Sequence, residues 1–399
     1  MATPDMHGAA AAGGSLPGRL VDGEEGLATW VALFYDLVFV AAILIFTRAV
    51  EHIHPQTGAF WIVAVFIGAW WIWYSTTLLA HRLQQADLVH RLLLLVQMLV
   101  IVLMAMEARV SVDGDSRVLG IEYAVLLATV SVMYLRAWWG TGPGGPAAGR
   151  LAAANLAAAL VVVVGVLVPE PARLVCYLAA LAVSMAGTAV VWHGRTELSV
   201  DDERHYIDRM AAFTLIVCGE AFIESALALS GATIHSIDVV SLVFEFVLVF
   251  ALFSAYFGTV PPAGIDPGRF RPWSALHLVL QIAVAASAVS VTKLIADSVR
   301  SHVPDAEILR LTVPLVAFYL ALAGLVWSTR RRPVAPLAVL QVATATAVAV
   351  VGTVAWFVPW IHLDTALPLL DAVAVSSLVV AARVRPRTRI VGTTRRAPA

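Results

Sequence analysis

Acidic residues inside long apolar stretches are the first candidates for chemistry in this sequence. Asp36 interrupts the apolar run 31–50, Glu220 lies within the apolar run 210–230, and Glu224 follows one helical turn later. A carboxylate in hydrocarbon costs roughly 2.5–3.5 kcal/mol, so it persists where it pairs with another helix or serves an ion or proton pathway. We expect these three carboxylates to contribute to binding a small solute or ion.

Two further polar side chains fall within apolar stretches. His277 carries an imidazole, which changes its protonation state in the physiological range, although a buried histidine is commonly a structural hydrogen-bond donor. Tyr74 follows a cluster of tryptophans, Trp70, Trp71 and Trp73, which would either line a cavity or pack in the core. We add His277 and Tyr74 to the expected binding site.

Charged residues near the ends of the apolar stretches are candidates for charge partners or for a gate. Arginine stays ionised and has donors that match a carboxylate, so each arginine at the membrane boundary is expected to have an acidic or solvated partner. The residues in this group are Arg82, Asp87, Arg91, Asp208 and Arg209.

The segment Asp201–Arg209 is the strongest polar cluster between two apolar stretches, and it has two interpretations. Asp201, Asp202 and Asp208 have the carboxylate oxygens that Mg²⁺ prefers, which would suit an enzyme acting on a lipid or isoprenoid diphosphate. The alternative is a solvated helix start, without a cofactor, whose acids interact with the positive end of the helix dipole. The sequence has no second aspartate-rich motif and no phosphate-cradling glycine loop, which favours the alternative.

Composition decides which class of protein holds these residues. Hydrophobic residues form 60% of the 399-residue chain and charged residues 13%, against about 25% charged in soluble domains. The apolar residues come in blocks of about twenty, the length that crosses roughly 30 Å of hydrocarbon as a helix. The sequence therefore predicts an all-α integral membrane protein in contact with the lipid bilayer, and it excludes a soluble or nucleic-acid-binding protein.

About twelve transmembrane helices are predicted, separated by turns rich in Pro and Gly and by polar loops. They form two groups, residues 30–192 and residues 210–384, which are joined by a cytoplasmic loop at 193–209. Residues 1–29 are predicted to be a disordered cytoplasmic tail, and residues 385–399 a basic cytoplasmic tail.

The distribution of basic residues predicts the orientation. With twelve helices, nineteen of the 26 Lys and Arg residues fall in the tails and in the even-to-odd loops, and six fall on the opposite side. Because cytoplasmic loops carry the excess of positive charge, both termini are expected in the cytoplasm, with the chain in the cell (inner or plasma) membrane.

An internal repeat is one interpretation of the spacing of polar residues. Asp36 and Glu220 are 184 positions apart, and Tyr74 and Tyr256 are 182 positions apart. A nearly constant offset fits two six-helix repeats with parallel orientation. The alternative is chance similarity between apolar segments.

Several of these segments resemble the low temperature requirement A family of bacterial membrane proteins. Leu33–Val40 is similar to the opening pattern of that family, although Ala32 replaces its leading acidic residue. Residues 205–209, followed by Gly219-Glu220, resemble its His-x-x-Glu-Arg…Gly-Glu signature, with Asp208 in place of Glu. The resemblance implies a multi-pass bacterial inner-membrane protein that is linked by name to growth at low temperature.

Two functions are expected from these residues. The first is a transporter or channel-like permease for a small solute or ion, in which Asp36, Glu220 and His277 line a polar site. The second is an intramembrane enzyme acting on a lipid, with Mg²⁺ bound at residues 201–209. A membrane sensor without turnover and a homo-oligomer are also compatible with the sequence.

Overall fold

The computed structural model is a bundle of twelve α-helices in the part of the chain that it describes. That part comprises residues 23–50, 57–80, 87–111, 115–140, 145–191, 200–229, 236–260, 264–298, 305–330, 335–358 and 363–384. The helices are α1 (Gly23–Val50), α2 (Thr57–Ala80), α3 (Leu88–Ser111), α4 (Arg117–Gly140), α5 (Gly145–Leu167), α6 (Ala172–Val191), α7 (Val200–Leu229), α8 (Ser236–Phe257), α9 (Phe270–Ser298), α10 (Asp305–Trp327), α11 (Ala335–Phe357) and α12 (Leu363–Val384). In these ranges the only β-type pairing is an isolated bridge between Ile265 and Thr329, so the predicted all-α class is confirmed.

Eight of these helices, α3–α6 and α9–α12, are long and apolar enough to cross a membrane by length and composition. When the described residues alone are counted, α1, α2 and α8 contain shorter apolar segments, Trp30–Ile43, Val63–Leu79 and Leu242–Phe257. Large apolar side chains also cover the outside of the bundle, as the exposed Leu160 and Phe250 illustrate. An outer surface of this kind is typical of helices that face lipid.

Two helices begin earlier than the sequence predicted. Residues 200–209, the second part of the predicted loop at 193–209, belong to α7, which agrees with the alternative of a helix start in this segment. Likewise α1 begins at Gly23, inside the predicted tail 1–29. A polar first turn in α1 and a polar segment of about ten residues in α7 precede the apolar segment. A change in hydropathy therefore does not mark the end of either helix. The remaining parts of the predicted tails and loop, at 1–22, 192–199 and 385–399, lie outside the described residues.

Polar contacts between helix ends define two rims of the bundle. At the near rim, Arg136 near the end of α4 pairs with Asp87 just before α3 (2.5 Å), and Arg330 after α10 pairs with Glu203 in α7 (2.6 Å). At the far rim, Arg173 in α6 pairs with an acid just before α4. Helices α3 and α7 therefore begin at the near rim, whereas α4 and α6 begin at the far rim.

The helices α1–α6 and α7–α12 pack internally in a similar order. Helix α1 packs on α3 as α7 packs on α9, and the later helices of each group pack on their neighbours in the chain. The two groups meet mainly where α1 and α2 contact α7 and α9, a region that we call the central interface. Most of the candidate site residues with described side chains lie in these four helices.

Candidate functional site

The central interface contains a buried ion pair. Asp36 in α1 is fully buried, and its Oδ1 lies 2.7 Å from Nη2 of Arg209 in α7. The same oxygen accepts a hydrogen bond from the indole Nε1 of Trp73 in α2 (2.7 Å). The carboxylate of Asp36 therefore connects helices of both groups. The sequence suggested Arg209 as a charge partner or gate, and the structure places it against Asp36.

This ion pair is incompletely hydrogen-bonded. Within the described residues, Asp36 Oδ2 and the Nε and Nη1 atoms of Arg209 have no hydrogen-bond partner. Arg209 is itself only 7% exposed. A buried polar atom without a partner costs about 1–3 kcal/mol, and more when it is charged. The three open atoms therefore mark a site where a polar ligand, water or a change of conformation would complete the bonding.

A small apolar cavity lies next to the ion pair. Phe39 and Phe213, each one helical turn after a member of the pair, line this cavity together with Trp70. The ring of Trp73, which donates to Asp36, packs against Phe213 with the ring centroids 4.4 Å apart. Because α1 and α7 contact the same cavity at successive turns, they run parallel, and the ion pair lies on the near-rim side of the cavity.

The tryptophans of α2 donate hydrogen bonds to three different helices. Trp70 Nε1 donates to Gln281 Oε1 in α9 (2.6 Å), and Trp71 Nε1 donates to Ser184 Oγ in α6 (2.7 Å). Trp73 donates to α1, as described above. All three tryptophan rings are buried in the core, as one interpretation of the cluster expected. Trp70 also lines the apolar cavity, as the other interpretation expected.

Gln97 in α3 is a second polar centre, which the sequence analysis missed as a site residue. It is fully buried, and its Oε1 accepts from Tyr35 Oη (2.8 Å) and Thr76 Oγ1 (3.1 Å). Its Nε2 donates to Thr129 Oγ1 (3.0 Å). Gln97 thus connects α3 with α1, α2 and α4, next to Asp36. An amide within an apolar helix was the available signal, because such side chains commonly bond across helices in membranes.

His277 in α9 has partners for both ring nitrogens. Its Nδ1 lies 2.8 Å from the carbonyl oxygen of Trp273, and its Nε2 lies 2.9 Å from Tyr256 Oη. A carbonyl oxygen only accepts, so Nδ1 carries the proton and Nε2 accepts from the Tyr256 hydroxyl. This arrangement joins α9 to α8, and it supports the structural interpretation of His277 over a place in the binding site.

Glu220 does not share a site with Asp36. It is buried in α7, but it lies eleven residues after Arg209, which is roughly 16 Å along the helix axis at 1.5 Å per residue. Arg209 is the residue of α7 that reaches Asp36. The two carboxylates therefore lie at different levels of the bundle. The side chain of Glu224 lies outside the described residues.

Tyr74 belongs to an aromatic layer shared by α2, α7 and α9. Its ring stacks on Trp70 with centroids 5.0 Å apart, and it meets Tyr206 of α7 edge-on at 6.2 Å. Tyr206 Oη in turn donates to Ser274 Oγ in α9 (3.1 Å). The layer extends the central interface toward the near rim, because Tyr206 lies in the second turn of α7.

Asp87 lies at the near rim and caps α3. Its Oδ1 accepts from the backbone N–H of His90 (2.9 Å), and its Oδ2 pairs with Arg136 (2.5 Å). The hydrogen bond from the His90 amide, followed by the Arg136 guanidinium, holds the pKa of Asp87 below its usual range. Arg91, in the first turn of α3, is half-buried. Arg82 lies outside the described residues.

The acids at the start of α7 leave the Mg²⁺ interpretation untested. Asp208 is exposed, and the side chains of Asp201 and Asp202 lie outside the described residues. Among side chains that are described, no group of three or more His, Cys, Asp or Glu residues could hold a metal ion. Glu203, between these aspartates, pairs with Arg330 across the near rim. A metal site here stays a prediction.

Comparisons with known proteins identify the family of this chain. The model of the bacterial low temperature requirement A protein (LtrA) family matches residues 27–381, which is most of the chain. An uncharacterized protein of Rhizobium meliloti (strain 1021) is 26% identical over 211 residues, which cover 50% of this chain and 51% of that protein. The chain thus spans about half the length of the curated relative that it matches, and no solved structure matches it.

The family match and the apolar helices lead to the same class of protein. Eight helices of the described part are long and apolar enough to cross a membrane, and the match includes all eight almost entirely. The resemblance seen in the sequence motifs is confirmed by this match. The chain is a multi-pass membrane protein that belongs to the bacterial low temperature requirement A protein (LtrA) family.

Proposed function

We propose that this protein is a permease for a small solute or ion, and that its cargo passes through the central interface. The observation that carries the proposal is the buried, incompletely bonded Asp36–Arg209 pair between the two helix groups. A pair whose only role was to fasten α1 to α7 would be expected to have its remaining donors and acceptors satisfied. Asp36 and Arg209 instead have three polar atoms without a hydrogen-bond partner among the described residues, beside a cavity.

The proposed architecture has twelve spans in two parallel six-helix repeats, with both termini in the cytoplasm and the protein in the inner membrane. The similar packing order of α1–α6 and α7–α12 supports the repeat. A further correspondence is the pair Gln97 and Gln281, which have the same offset as Asp36 and Glu220 and are both fully buried. The excess of basic residues at the near rim supports its cytoplasmic location.

In this proposal the Asp36–Arg209 pair is the gate between the cavity and the near rim. Separation of α1 from α7 breaks the pair and opens the cavity toward the near rim. The open donors of Arg209 and the open oxygen of Asp36 then receive water or a polar group of the cargo. Rocking of one helix group against the other around a central site is the common mechanism of transporters built from repeats.

Cysteine accessibility tests this gate. In a protein with Cys176→Ser and Cys218→Ser, Phe213→Cys places a single thiol on the cavity wall. A charged, membrane-impermeant methanethiosulfonate reagent is applied to vesicles of both orientations. We expect that adding Asp36→Asn, which removes the ionic partner of Arg209, raises labelling from the near-rim side at least severalfold. Labelling from the far side should change less.

The matched control is Leu160→Cys on α5, a position that is 59% exposed on the outer surface of the bundle. A lipid-facing thiol gives little reaction with a charged reagent from either side, with or without Asp36→Asn. If Phe213→Cys behaved like this control in every background, no water-filled path would reach the cavity. The permease proposal would then be wrong, and the ion pair would be a static link.

A further inference from the structure

Asp371 in α12 is a buried carboxyl group that the central interface does not use. It is 4% exposed, and neither Oδ1 nor Oδ2 has a hydrogen-bond partner in the described part of the chain. It lies eight residues after the first residue of α12 and thirteen before the last, roughly 12 Å and 20 Å along the axis. Both distances place it within the hydrocarbon region, where an ionisable group needs a compensating partner.

The helices that pack on α12 offer no basic partner to Asp371. Helices α8 and α11 contain no Lys, Arg or His. The basic residues of α10 and of α12 itself are Arg310 and Arg383, and both are exposed. Within the described helices of this region, the charge of an ionised Asp371 is therefore not balanced by a cationic side chain.

Tyr319 in α10 brings a second open oxygen to the same region. It is fully buried, and its Oη has no hydrogen bond to any residue that the structure describes. The hydroxyl lies beside the Ser377 side chain of α12, and it is close enough to Asp371 for the carboxyl group to act on it electrostatically. Ser377 Oγ donates its proton to the Ala374 carbonyl oxygen (2.7 Å), so it can offer only its lone pairs. Since buried polar atoms normally have partners, Asp371 and Tyr319 together indicate a ligand between α10 and α12.

A further open oxygen lies between this region and the near rim. Gln341 in α11 is 1% exposed, and its Oε1 has no partner among the described residues. Helix α11 packs on both α10 and α12, and Gln341 lies six residues after its start, whereas Ser377 lies seven residues before the end of α12. Both are therefore roughly 10 Å from the near-rim ends of their helices. We call Asp371, Tyr319, Ser377 and Gln341 the polar seam, which extends from the near-rim side to the middle of the bundle.

The chemistry of the polar seam indicates a cation with a single charge. Carboxylate and amide oxygens only accept, so they suit a hard cation, which takes oxygen ligands. Asp371 supplies one negative charge, and Glu245, the buried acid at a similar level of α8, has an interaction of its own. A divalent ion would therefore leave an unbalanced charge in hydrocarbon. A proton would occupy one oxygen of Asp371 and leave the other open oxygens without a partner.

We propose that the polar seam binds one monovalent alkali cation, which enters from the near rim and rests at Asp371. The carboxylate of Asp371 supplies the charge, and the hydroxyl oxygens of Tyr319 and Ser377 add neutral ligands, directly or through water. Gln341 Oε1 lies on the path from the near rim. This site shares no residue with the Asp36–Arg209 gate, so it holds whether or not the permease proposal holds.

Carbodiimide labelling tests this cation site. Dicyclohexylcarbodiimide enters hydrocarbon and modifies protonated carboxyl groups there, whereas a cation bound to the carboxylate prevents the reaction. The full chain is reconstituted in vesicles and treated in NaCl, KCl or choline chloride at equal ionic strength and pH, and the modified peptides are mapped by mass spectrometry. We expect Asp371 to be modified in choline chloride. Na⁺ or K⁺ should reduce that modification at least severalfold.

A matched pair of tyrosine variants tests the neutral ligands. Tyr319→Phe removes a single oxygen atom and is expected to keep the fold, which size-exclusion chromatography checks. It should raise severalfold the salt concentration that gives half-maximal protection of Asp371. Tyr177→Phe removes the same atom from α6 in the other helix group, where Tyr177 donates to the Ser116 carbonyl oxygen, and it should leave that concentration unchanged.

Three outcomes would overturn the proposal. If neither Na⁺ nor K⁺ protected Asp371 better than choline, the carboxyl group would hold only a proton. If Asp371 stayed unmodified in choline chloride, it would have a permanent partner in the protein and no exchangeable cation. If the two tyrosine variants behaved alike, Tyr319 would not contribute to a cation site.

Discussion

At the scale of single residues, burial decides how much each ion pair contributes to the stability of this protein. The side chains of Asp36 and Arg209 are 0% and 8% exposed, whereas those of Asp87 and Arg136 are 41% and 31% exposed. An exposed pair is typically worth about 0–1 kcal/mol, because solvent screens the charges. Removing one partner of a buried pair costs about 3–5 kcal/mol, because a charge is left uncompensated.

A double-mutant cycle on the buried pair should show this difference. We expect Asp36→Leu and Arg209→Met each to lower the free energy of unfolding by about 3–5 kcal/mol. The double variant should lose clearly less than the sum, since it leaves no isolated charge in the core. Unfolding of detergent-solubilised protein provides the measurement. Arg136→Gln at the near rim is the control and should cost within about 1 kcal/mol; additive losses at the buried pair would contradict the coupling.

His277 is expected to behave as a structural hydrogen-bonding residue. His277→Phe leaves the Tyr256 hydroxyl and the Trp273 carbonyl without their partner, so we expect a loss of about 1–3 kcal/mol in stability. Nitrogen NMR of the wild type should show a proton on Nδ1 and none on Nε2 at neutral pH. A proton on Nε2 instead would mean that the Tyr256 contact has been assigned the wrong way round.

At the scale of whole helices, a few glycines allow neighbouring helices to pack in close contact. A Cβ atom added at Gly352 in α11 would lie 2.1 Å from Thr312 Oγ1 in α10, and one added at Gly120 in α4 would lie 1.9 Å from Tyr177 Oη in α6. At Gly219 in α7, the described residues place no atom of a packing neighbour within 4 Å of the added Cβ. These helix pairs therefore approach more closely than any larger residue allows, which is common among membrane helices.

Alanine substitutions should separate these glycines. Gly352→Ala is expected to lower stability by about 1–3 kcal/mol, because the new methyl group overlaps Thr312 and forces α10 and α11 apart. Gly219→Ala is the matched control and should be neutral or slightly stabilising, since Ala favours a helix over Gly. Thermal unfolding of both variants in the same detergent compares them. Equal effects at the two positions would show that α10 and α11 can shift at no cost.

The cap of α3 should give a pH-dependent contribution to stability. The pKa of Asp87 is lowered in the folded protein, so its contribution is present above the unfolded value of about 3.9 and is lost as the pH falls through the folded value. Asp87→Asn keeps a good capping side chain but removes the charge. We expect wild type to exceed Asp87→Asn in thermal stability at pH 6, with the gap closing toward pH 3. A difference in thermal stability between the two proteins that widened as the pH fell would contradict this expectation.

Orientation in the membrane is the prediction that belongs to the whole molecule. Twelve spans with a cytoplasmic near rim place residue 199 and the C-terminus in the cytoplasm, and they place Glu170 outside it. Alkaline phosphatase folds only outside the cytoplasm, so a fusion at Glu170 should be active and fusions at residue 199 and after Ala399 inactive. Green fluorescent protein fusions should show the opposite pattern. Activity of phosphatase at the C-terminus would place that terminus outside the cytoplasm and would contradict this orientation.

The sequence by itself was sufficient to predict the structural class of this protein and the positions of its helices. Hydropathy is a local property, and a block of about twenty apolar residues must form a helix in lipid whatever surrounds it. The twelve helices predicted from such blocks are present in the structure, with α1 and α7 extended by polar segments at their N-terminal ends. The motifs around Asp36 and Glu220 were likewise sufficient for the family.

Only the tertiary structure decided which polar groups meet. Asp36 and Trp73 are 37 positions apart, Trp70 and Gln281 are 211 apart, and each pair is brought together by how the helices rotate and pack. Spacing along the chain suggested Glu220 as the counterpart of Asp36, whereas packing placed Arg209 there. The reason is that hydropathy specifies that a helix crosses the membrane, while its rotation and depth depend on side chains of other helices far away in sequence.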